Sequence, residues 1–228
     1  MYNDNIVNVI MPVYNEENTV YKMIKRVLNQ KFVDRLIIVY TKSKDNTLDE
    51  IKRAITKSKK VTLLINNTKI GKGYSVKYGL KHVKKGIIII QDADEEYYPE
   101  DYNKLLNAFS DKSPVFGSRK VNFGNAYLLG KIVSNIHTLI FNLLFRQSVE
   151  DINTCYKVFS KEMLKGKRPK EDSWELDMEI AIILAKNGYK IKNVPIRYKG
   201  RTFEEGKKIG ASAAINFIFY IIKKRFWD

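Results

Sequence analysis

Four consecutive isoleucines, Ile87–Ile90, restrict the fold more than any other feature of the sequence. An unbroken β-branched run predicts a strand buried on both faces, as in parallel sheets that helices cover. Three short apolar runs precede it at residues 7–11, 36–39 and 61–65, and helical patterns follow these runs at residues 16–28, 47–55 and 74–83. Strands that alternate with helices predict a doubly wound α/β layer, with a mostly parallel sheet and helices on both faces.

The pattern changes after about residue 120. Apolar residues at helical spacing run from residue 127 to 145, a second helical pattern covers residues 175–186, and a third covers 209–224. The last of these leads into the sequence Lys-Lys-Arg-Phe-Trp. The first and last patterns are unusually apolar, and we predict amphipathic helices there, one of them at the C-terminus.

The charge balance restricts the partners of the chain. Its 228 residues include 41 Lys and Arg against 25 Asp and Glu, a formal net charge of +16. Such a positive field attracts nucleic acid, nucleotide phosphates or an anionic membrane surface. Nucleic acid is the weakest of these three predictions because no zinc-finger or RNA-recognition motif accompanies the charge.

Cysteine content and hydropathy bear on the location of the protein. Cys155 is the single cysteine, which excludes an intramolecular disulfide and a cysteine-rich zinc site. The N-terminus lacks the pattern of a signal peptide, and no apolar run approaches the roughly 20 residues that span a bilayer. We therefore predict a cytoplasmic protein that meets a membrane, if at all, peripherally on its cytoplasmic face.

Two carboxylates follow the isoleucine strand, at Asp92 and Asp94. In an extended chain alternate side chains point to the same side, and ligands of open parallel sheets bind beyond the carboxyl ends of the strands. Two carboxylates on one face repel each other unless a cation lies between them. Mg²⁺ or Mn²⁺, which bridges carboxylates to substrate phosphates, suits this position. An acidic solvated loop before Pro99 is the alternative.

The segment Gly71-Lys72-Gly73 lies between the third predicted strand and the third helix. Glycines let a backbone approach a phosphate closely, and a helix N-terminus favours an anion. The segment is neither a Walker loop nor a dinucleotide fingerprint. Taken alone, it is better explained as a plain turn.

These motifs together resemble family-2 inverting glycosyltransferases with a GT-A fold, in particular the dolichyl-phosphate mannose synthase type that loads polyprenyl phosphates. The resemblance covers most of residues 7–208. It rests on Pro12-Val13-Tyr14-Asn15-Glu16, residues 67–80, Asp92-Ala93-Asp94, Pro99-Glu100-Asp101, Gly117-Ser118-Arg119, Asp151-Ile152-Asn153-Thr154 and residues 201–208. It implies a catalytic domain over residues 1–208, with a nucleotide-sugar half over about 1–119 and an acceptor half over about 120–208. The remaining residues, 209–228, form an apolar and basic helix.

The resemblance also implies roles for individual residues. The nucleotide would contact Pro12, Tyr14, Glu16, Tyr40, Asp45, Lys72 and Asp92. The metal would bind Asp92, Asp94 and Glu96, with Glu96 where relatives often carry glutamine. Arg119, Lys131, Arg201 and Lys207 would face phosphates, and Asp151 would lie near the transferred sugar. Asp94, Arg119 and Asp151 are the candidate catalytic residues. The implied partners are a nucleotide-sugar donor and a lipid phosphate acceptor, at an anionic membrane surface, and a homo-oligomer is compatible with the resemblance.

One segment departs from the family pattern. After the second strand the family usually has Val-Asp-Asp-Gly-Ser, whereas this chain has Val39-Tyr40-Thr41-Lys42-Ser43. Two acids are therefore replaced, and Tyr40 becomes a candidate for stacking on the base. The replacement leaves the choice between uridine and guanosine open, together with a relative that binds nucleotide without catalysis.

Two other functions remain as alternatives. A hydroxyl acceptor would require a general base, for which Asp151 is the candidate. A nucleotidyltransferase has a similar sheet, but it usually carries a basic, glycine-rich loop after the first strand, where this chain has Pro12 to Glu16.

Overall fold

The computed structural model describes residues 2, 5–68, 71–119, 128–200 and 211–227, with only the backbone for residues 128, 129 and 211–215. Its seven strands are β1 (Val7–Val13), β2 (Arg35–Thr41), β3 (Val61–Asn66), β4 (Ile87–Ile90), β5 (Val115–Ser118), β6 (Lys157–Ser160) and β7 (Lys192–Pro195). Its helices are α1 (Val20–Leu28), α2 (Thr47–Ile55), α3 (Lys72–His82), α4 (Tyr102–Ala108), α5 (Leu128–Phe145), α6 (Glu175–Lys186) and α7 (Ala211–Phe226). Short 3₁₀ helices cover Pro99–Asp101 and Lys161–Leu164.

The strands form one sheet in the order β3-β2-β1-β4-β6-β5-β7. The first four strands are mutually parallel, so their carboxyl ends lie at one edge. Strand β6 is antiparallel to both β4 and β5, while β7 is parallel to β5. The predicted α/β class and mostly parallel sheet are confirmed, and β6 makes the sheet mixed.

The core lies where the sequence predicts it. All four isoleucines of β4 are buried. Helix α3 packs on β1 and β2, and its Gly79 permits a close approach, because a Cβ there would lie 2.6 Å from Ile10 Cγ2. The parallel strands therefore have almost no exposed side chains except at β3, which lies at the outer end of the sheet.

Helices α5 and α7 pack against each other, and α7 also packs on α6. Helix α5 buries one face, which includes His137, Phe141 and Phe145, and exposes another that carries isoleucines and leucines. Amphipathic helices in the second half are thus confirmed. None of the helices in the described ranges combines the length and apolar character that crossing a membrane requires. The division of the chain near residues 119 and 208 stays a prediction.

Candidate active site

A cavity of about 350 Å³ opens beyond the carboxyl ends of β1, β2 and β4. Such crevices are where open α/β sheets bind their ligands. It is lined by Pro12, Val13, Tyr14, Glu16, Thr41, Gly71, Lys72, Ser75, Asp92, Ala93, Asp94, Glu96, Tyr97, Arg119, Asn153, Cys155, Ser173, Trp174, Asp177 and Tyr198. The motifs that follow β1 and β4 are therefore brought to one pocket.

One wall of the pocket is a chain of ion pairs. The Lys72 ammonium lies 2.9 Å from Asp92 Oδ1 and 3.1 Å from Asp177 Oδ2, and the Trp174 ring is 5.2 Å away. Burial alone would lower the pKa of Lys72, but the carboxylates of Asp177 and Asp92 raise it well above its usual range. Lys72 is therefore a permanent cation between two carboxylates, at the point where β4 ends.

The two glycines beside Lys72 make room for the chain itself. A Cβ on Gly73 would lie 2.6 Å from the carbonyl oxygens of Glu171 and Ser173, and one on Gly71 would lie 2.2 Å from the Asp172 carbonyl. The backbone N–H of Tyr74, in the first turn of α3, donates to that Asp172 carbonyl at 3.0 Å. The segment that packs closely against the two glycines is thus the backbone of residues 171–173. The same motif places Lys72 in the lining of the pocket.

The carboxylates after β4 suit a divalent cation. Asp92 and Asp94 line the same pocket, Asp94 is 7% exposed, and the Glu96 backbone N–H donates to Asp94 Oδ1 at 3.2 Å. Within the described ranges, no group of three or more His, Cys, Asp or Glu side chains is arranged around a metal position. Mg²⁺ commonly binds through one or two carboxylates, with water and substrate phosphates completing the shell. The donor set fits that mode.

Glu96 is less available than the sequence suggests. It lines the pocket, but its Oε2 accepts a hydrogen bond from the Tyr198 hydroxyl at 2.9 Å. The Tyr198 ring also lies 5.0 Å from the Arg119 guanidinium. Tyr198 therefore joins the acidic loop after β4 to Arg119, and a metal contact from Glu96 stays a prediction.

Arg119 and Asp151 form a buried bidentate pair. Arg119 Nε donates to Asp151 Oδ2 at 2.6 Å, and a terminal guanidinium nitrogen donates to Oδ1 at 2.9 Å. Burial would raise the pKa of Asp151, but the guanidinium holds it below its usual value. Arg119 faces the pocket, whereas Asp151 lies behind it and is not among the described lining residues. Asp151 is thus placed to orient Arg119.

The side of the pocket at β1 and β2 carries hydroxyl groups and one carboxylate. Thr41 Oγ1 lies 3.1 Å from Ser75 Oγ and accepts from Asn66 Nδ2 at 3.2 Å. Tyr14 lines the pocket, and so does Glu16, whose Oε2 accepts from the Thr19 hydroxyl at 2.8 Å. Thr41, which stands where the family usually has an aspartate, is therefore part of a cluster of hydroxyl groups.

Comparison with known proteins agrees with this arrangement. The sequence model of Glycosyl transferase family 2 matches residues 8–166, more than half of the chain. This chain belongs to that family. It is 27% identical over 235 residues to a dolichyl-phosphate beta-glucosyltransferase of Trichomonas vaginalis, a match that covers 95% of this chain and 72% of the relative.

Another relative of this family-2 glycosyltransferase is a UDP-N-acetylglucosamine–dolichyl-phosphate N-acetylglucosaminyltransferase of Methanococcus voltae. The two are 29% identical over 240 residues, which cover 95% of this chain and 94% of the relative. A crystal structure of glucosyl-3-phosphoglycerate synthase from Mycobacterium tuberculosis, in complex with Mn²⁺, UDP-glucose and phosphoglyceric acid, superposes with a TM-score of 0.70. The match covers 97% of this chain and 80% of the synthase at 16% identity, and it supports the fold.

Some predicted site residues of the glycosyltransferase lie elsewhere. Tyr40 is 5% exposed, and its hydroxyl accepts from the Ser43 backbone N–H at 2.9 Å. Asp45 accepts from the Thr47 hydroxyl at 2.5 Å and from the Glu17 backbone N–H at 3.3 Å. Neither Tyr40 nor Asp45 is among the described residues that line the pocket, and the same is true of Lys131 on α5. Tyr40 and Asp45 therefore brace the loops after β1 and β2, and stacking of Tyr40 on a base stays a prediction. Arg201 and Lys207 lie outside the described residues.

The sequence interpretation missed other residues of the glycosyltransferase site. Trp174 is 41% exposed at the pocket, and Asp177 lies in the first turn of α6. An exposed tryptophan just before a helix with acids in its first turn was the available signal. Asn153 and Tyr198 also line the pocket; Asn153 lies within the motif of residues 151–154, whereas nothing in the local sequence distinguishes Tyr198 from a surface residue.

Proposed function

We propose that this glycosyltransferase transfers a sugar from a nucleotide-sugar donor to a polyprenyl phosphate, with inversion and with a divalent cation. The single observation that carries the proposal is one pocket that combines the Asp92 and Asp94 carboxylates with the paired guanidinium of Arg119. The names of the two relatives, both of which act on dolichyl phosphate, support the acceptor. The name of the Methanococcus voltae relative supports a uridine nucleotide in the donor.

The donor side of the proposal depends on the residues after β4. Asp92 and Asp94 would hold a divalent cation against the donor diphosphate, where the cation would neutralise the departing nucleoside diphosphate. Lys72 lies between Asp92 and Asp177, and it would direct a fixed positive charge toward the same group. Tyr14, directly after β1, and Thr41, at the end of β2, would border the base.

The acceptor side depends on Arg119. A guanidinium binds phosphate with two parallel hydrogen bonds, and the Asp151 carboxylate fixes its orientation from behind. A lipid phosphate is already ionised at neutral pH, so its attack on the sugar needs no general base. Because Asp151 is committed to Arg119, a phosphate acceptor agrees better with this pocket than a hydroxyl acceptor does.

The first test is a panel of UDP- and GDP-sugars with Mn²⁺ or Mg²⁺, assayed with and without a polyprenyl phosphate. We expect nucleoside diphosphate release from one donor, increased by the lipid phosphate and abolished by a chelator. Release that ignores the lipid would shift the acceptor to a hydroxyl compound. Nucleotide binding without release from any donor would overturn the catalytic proposal.

We also propose that α5 and α7 bring the enzyme to an anionic membrane surface. On α5 an apolar stripe is exposed, with Ile132 at 47%, Ile136 at 42%, Leu139 at 60% and Leu143 at 71%. On α7 the exposed residues are Phe219, Phe226 and Trp227, next to the basic residues Lys223, Lys224 and Arg225. Apolar side chains beside cations are typical of helices that lie in a negatively charged interface. Attachment on the cytoplasmic face stays a prediction.

Replacing Leu139 and Leu143 together by serine should weaken binding to phosphatidylserine vesicles at least about tenfold, because two leucine side chains no longer enter the apolar layer. Co-sedimentation with the vesicles measures this. Ile65→Ser is the matched control, since Ile65 is 50% exposed on β3, outside both helices. A wild-type protein that stays in solution with these vesicles would contradict the membrane proposal.

A further inference from the structure

Lys157 is a lysine with no exposed surface, on strand β6 and outside the pocket lining. Its ammonium donates to the Ile152 carbonyl oxygen at 3.1 Å and to the Thr154 carbonyl oxygen, and it lies 5.0 Å from the centre of the Phe116 ring. A buried ammonium is costly unless it is paired and hydrogen-bonded. Burial lowers the pKa of Lys157, and the Asp177 carboxylate opposes that shift.

On one side, Lys157 faces the donor end of the pocket. Its Nζ lies 3.7 Å from Asp177 Oδ1, a buried oxygen that accepts no hydrogen bond from the described residues. The other oxygen, Asp177 Oδ2, lies 3.1 Å from Lys72 Nζ, which in turn lies 2.9 Å from Asp92. The charge of Lys157 therefore fixes the carboxylate that holds Lys72 in place.

On the other side, Lys157 holds the turn that supports Arg119. The two carbonyls that it binds, of Ile152 and Thr154, bracket Asn153, which lines the pocket. The Asn153 backbone N–H donates to Asp151 Oδ1 at 3.1 Å, and that carboxylate is the partner of Arg119. One ammonium thus lies beside the Asp177 carboxylate on the donor side and binds the backbone of the turn that carries the acceptor-side pair.

We propose that Lys157 is a positioning residue for sugar transfer, which sets the relative placement of the Lys72–Asp92–Asp177 cluster and the Arg119–Asp151 pair without touching substrate. This inference rests on the proposed function. An apolar side chain of similar length would fill the same volume, but it would hold neither Asp177 nor the carbonyls of residues 152 and 154. Small displacements of this kind cost turnover because the reacting groups lose alignment.

The test is a double-mutant cycle with Lys157→Met, Lys72→Met and the double variant, measured as kcat and as KM for donor and acceptor separately. We expect Lys157→Met to lower kcat about 100-fold. We expect the two losses to be clearly less than additive in the double variant, because the part of the effect of Lys157 that passes through Asp177 acts on Lys72. Fully additive losses, or a folded Lys157→Met enzyme with a nearly normal kcat, would overturn the proposal.

Lys157→Met leaves Asp177 with Lys72 alone as its cation and leaves Asp177 Oδ1 unpaired, so the variant could fail to fold. The variant Lys157→Met/Asp177→Asn removes both charges, so we expect its melting temperature to recover toward that of the wild type. We expect its kcat to remain low; recovery of kcat together with stability would reduce Lys157 to a structural role.

The failure of this inference can be told apart from the failure of the proposed function. If the wild-type protein transferred no sugar from any donor, the function would fail. The same cycle would then be measured as the Kd of UDP by calorimetry, which needs no turnover. Additive changes in that Kd would overturn the positioning role on its own.

Discussion

Replacing Asp94 by asparagine should lower metal-dependent release of nucleoside diphosphate by about 1000-fold or more, since a positioned charge at a leaving group is worth several kcal/mol. Asp94 lines the pocket and is 7% exposed, so bulk water compensates little for the lost charge. Asparagine keeps the shape of the side chain and an oxygen that can accept from the Glu96 N–H. The change therefore removes charge with little change in packing.

The matched control is Glu95→Gln. Glu95 is the next residue of the same acidic loop, but its carboxylate points to Lys22 at 2.5 Å and does not line the pocket. We expect this variant to keep nearly normal turnover, while the Asp94 variant also binds Mn²⁺ more weakly in a direct titration. An Asp94→Asn enzyme with near-normal turnover and an unchanged metal requirement would end the assignment of Asp94.

The parallel half of the fold was predictable because its signal is local. Strands β1 to β4 are short apolar runs bounded by polar residues, and they are separated by helices whose apolar faces pack on the sheet. The predicted helix at residues 47–55 and the strand Ile87–Ile90 have the observed bounds. The strands observed as β1, β2 and β3 extend one to two residues beyond their predicted ends, because the sheet neighbours continue to pair there.

The other three strands were missed because their signal is not local. Strands β5, β6 and β7 have four residues each, too few to establish a period, and β6 begins with a lysine. The pairing of β6 with β4 joins residues 87–89 to residues 158–160. The tertiary pairings with β4 and β5 make residues 157–160 a strand, and Lys157 is fully buried there opposite Phe116.

The residues of the site also divide into those with a local signal in the sequence and those without one. Asp92 and Asp94 were predicted because they follow a buried strand of a parallel sheet, and Pro12 and Tyr14 because of the family resemblance; all four line the pocket. The ion pair of Lys72 with Asp177 was not predicted, since the two residues are 105 positions apart in the sequence.

Gly73 stands out in the sequence, but the sequence does not give the reason for a glycine at this position. A glycine that permits a close approach does not reveal what approaches it, and here it is the backbone of residues 171–173. The contact of Tyr40 is hidden for a related reason, because the sequence does not show that its hydroxyl accepts from the Ser43 backbone N–H.

Replacing Asp151 by asparagine should destabilise the protein by about 3–5 kcal/mol, because a buried guanidinium then loses its counter-ion. Asp151 is 3% exposed, and it also accepts from the Ser134 hydroxyl at 3.2 Å. Asparagine can keep one of these contacts, but not the bidentate pair with Arg119. We expect turnover to fall about 100-fold as well, since Arg119 would no longer be held toward the acceptor phosphate. Urea unfolding and the lipid-dependent assay measure the two effects.

The pH dependence separates the ion pair from general packing. Because the folded-state pKa of Asp151 is held below its usual value, the pair stabilises the protein above about pH 4, and this contribution is lost as pH falls through the folded-state pKa. The difference in unfolding free energy between wild type and Asp151→Asn should therefore shrink on acidification. Asp111→Asn is the control, because Asp111 is exposed in a turn and the same substitution there should change little. A stability difference that stays constant from neutral pH to pH below about 4 would mean that Asp151 acts by packing alone, and Arg119 would then need another counter-ion.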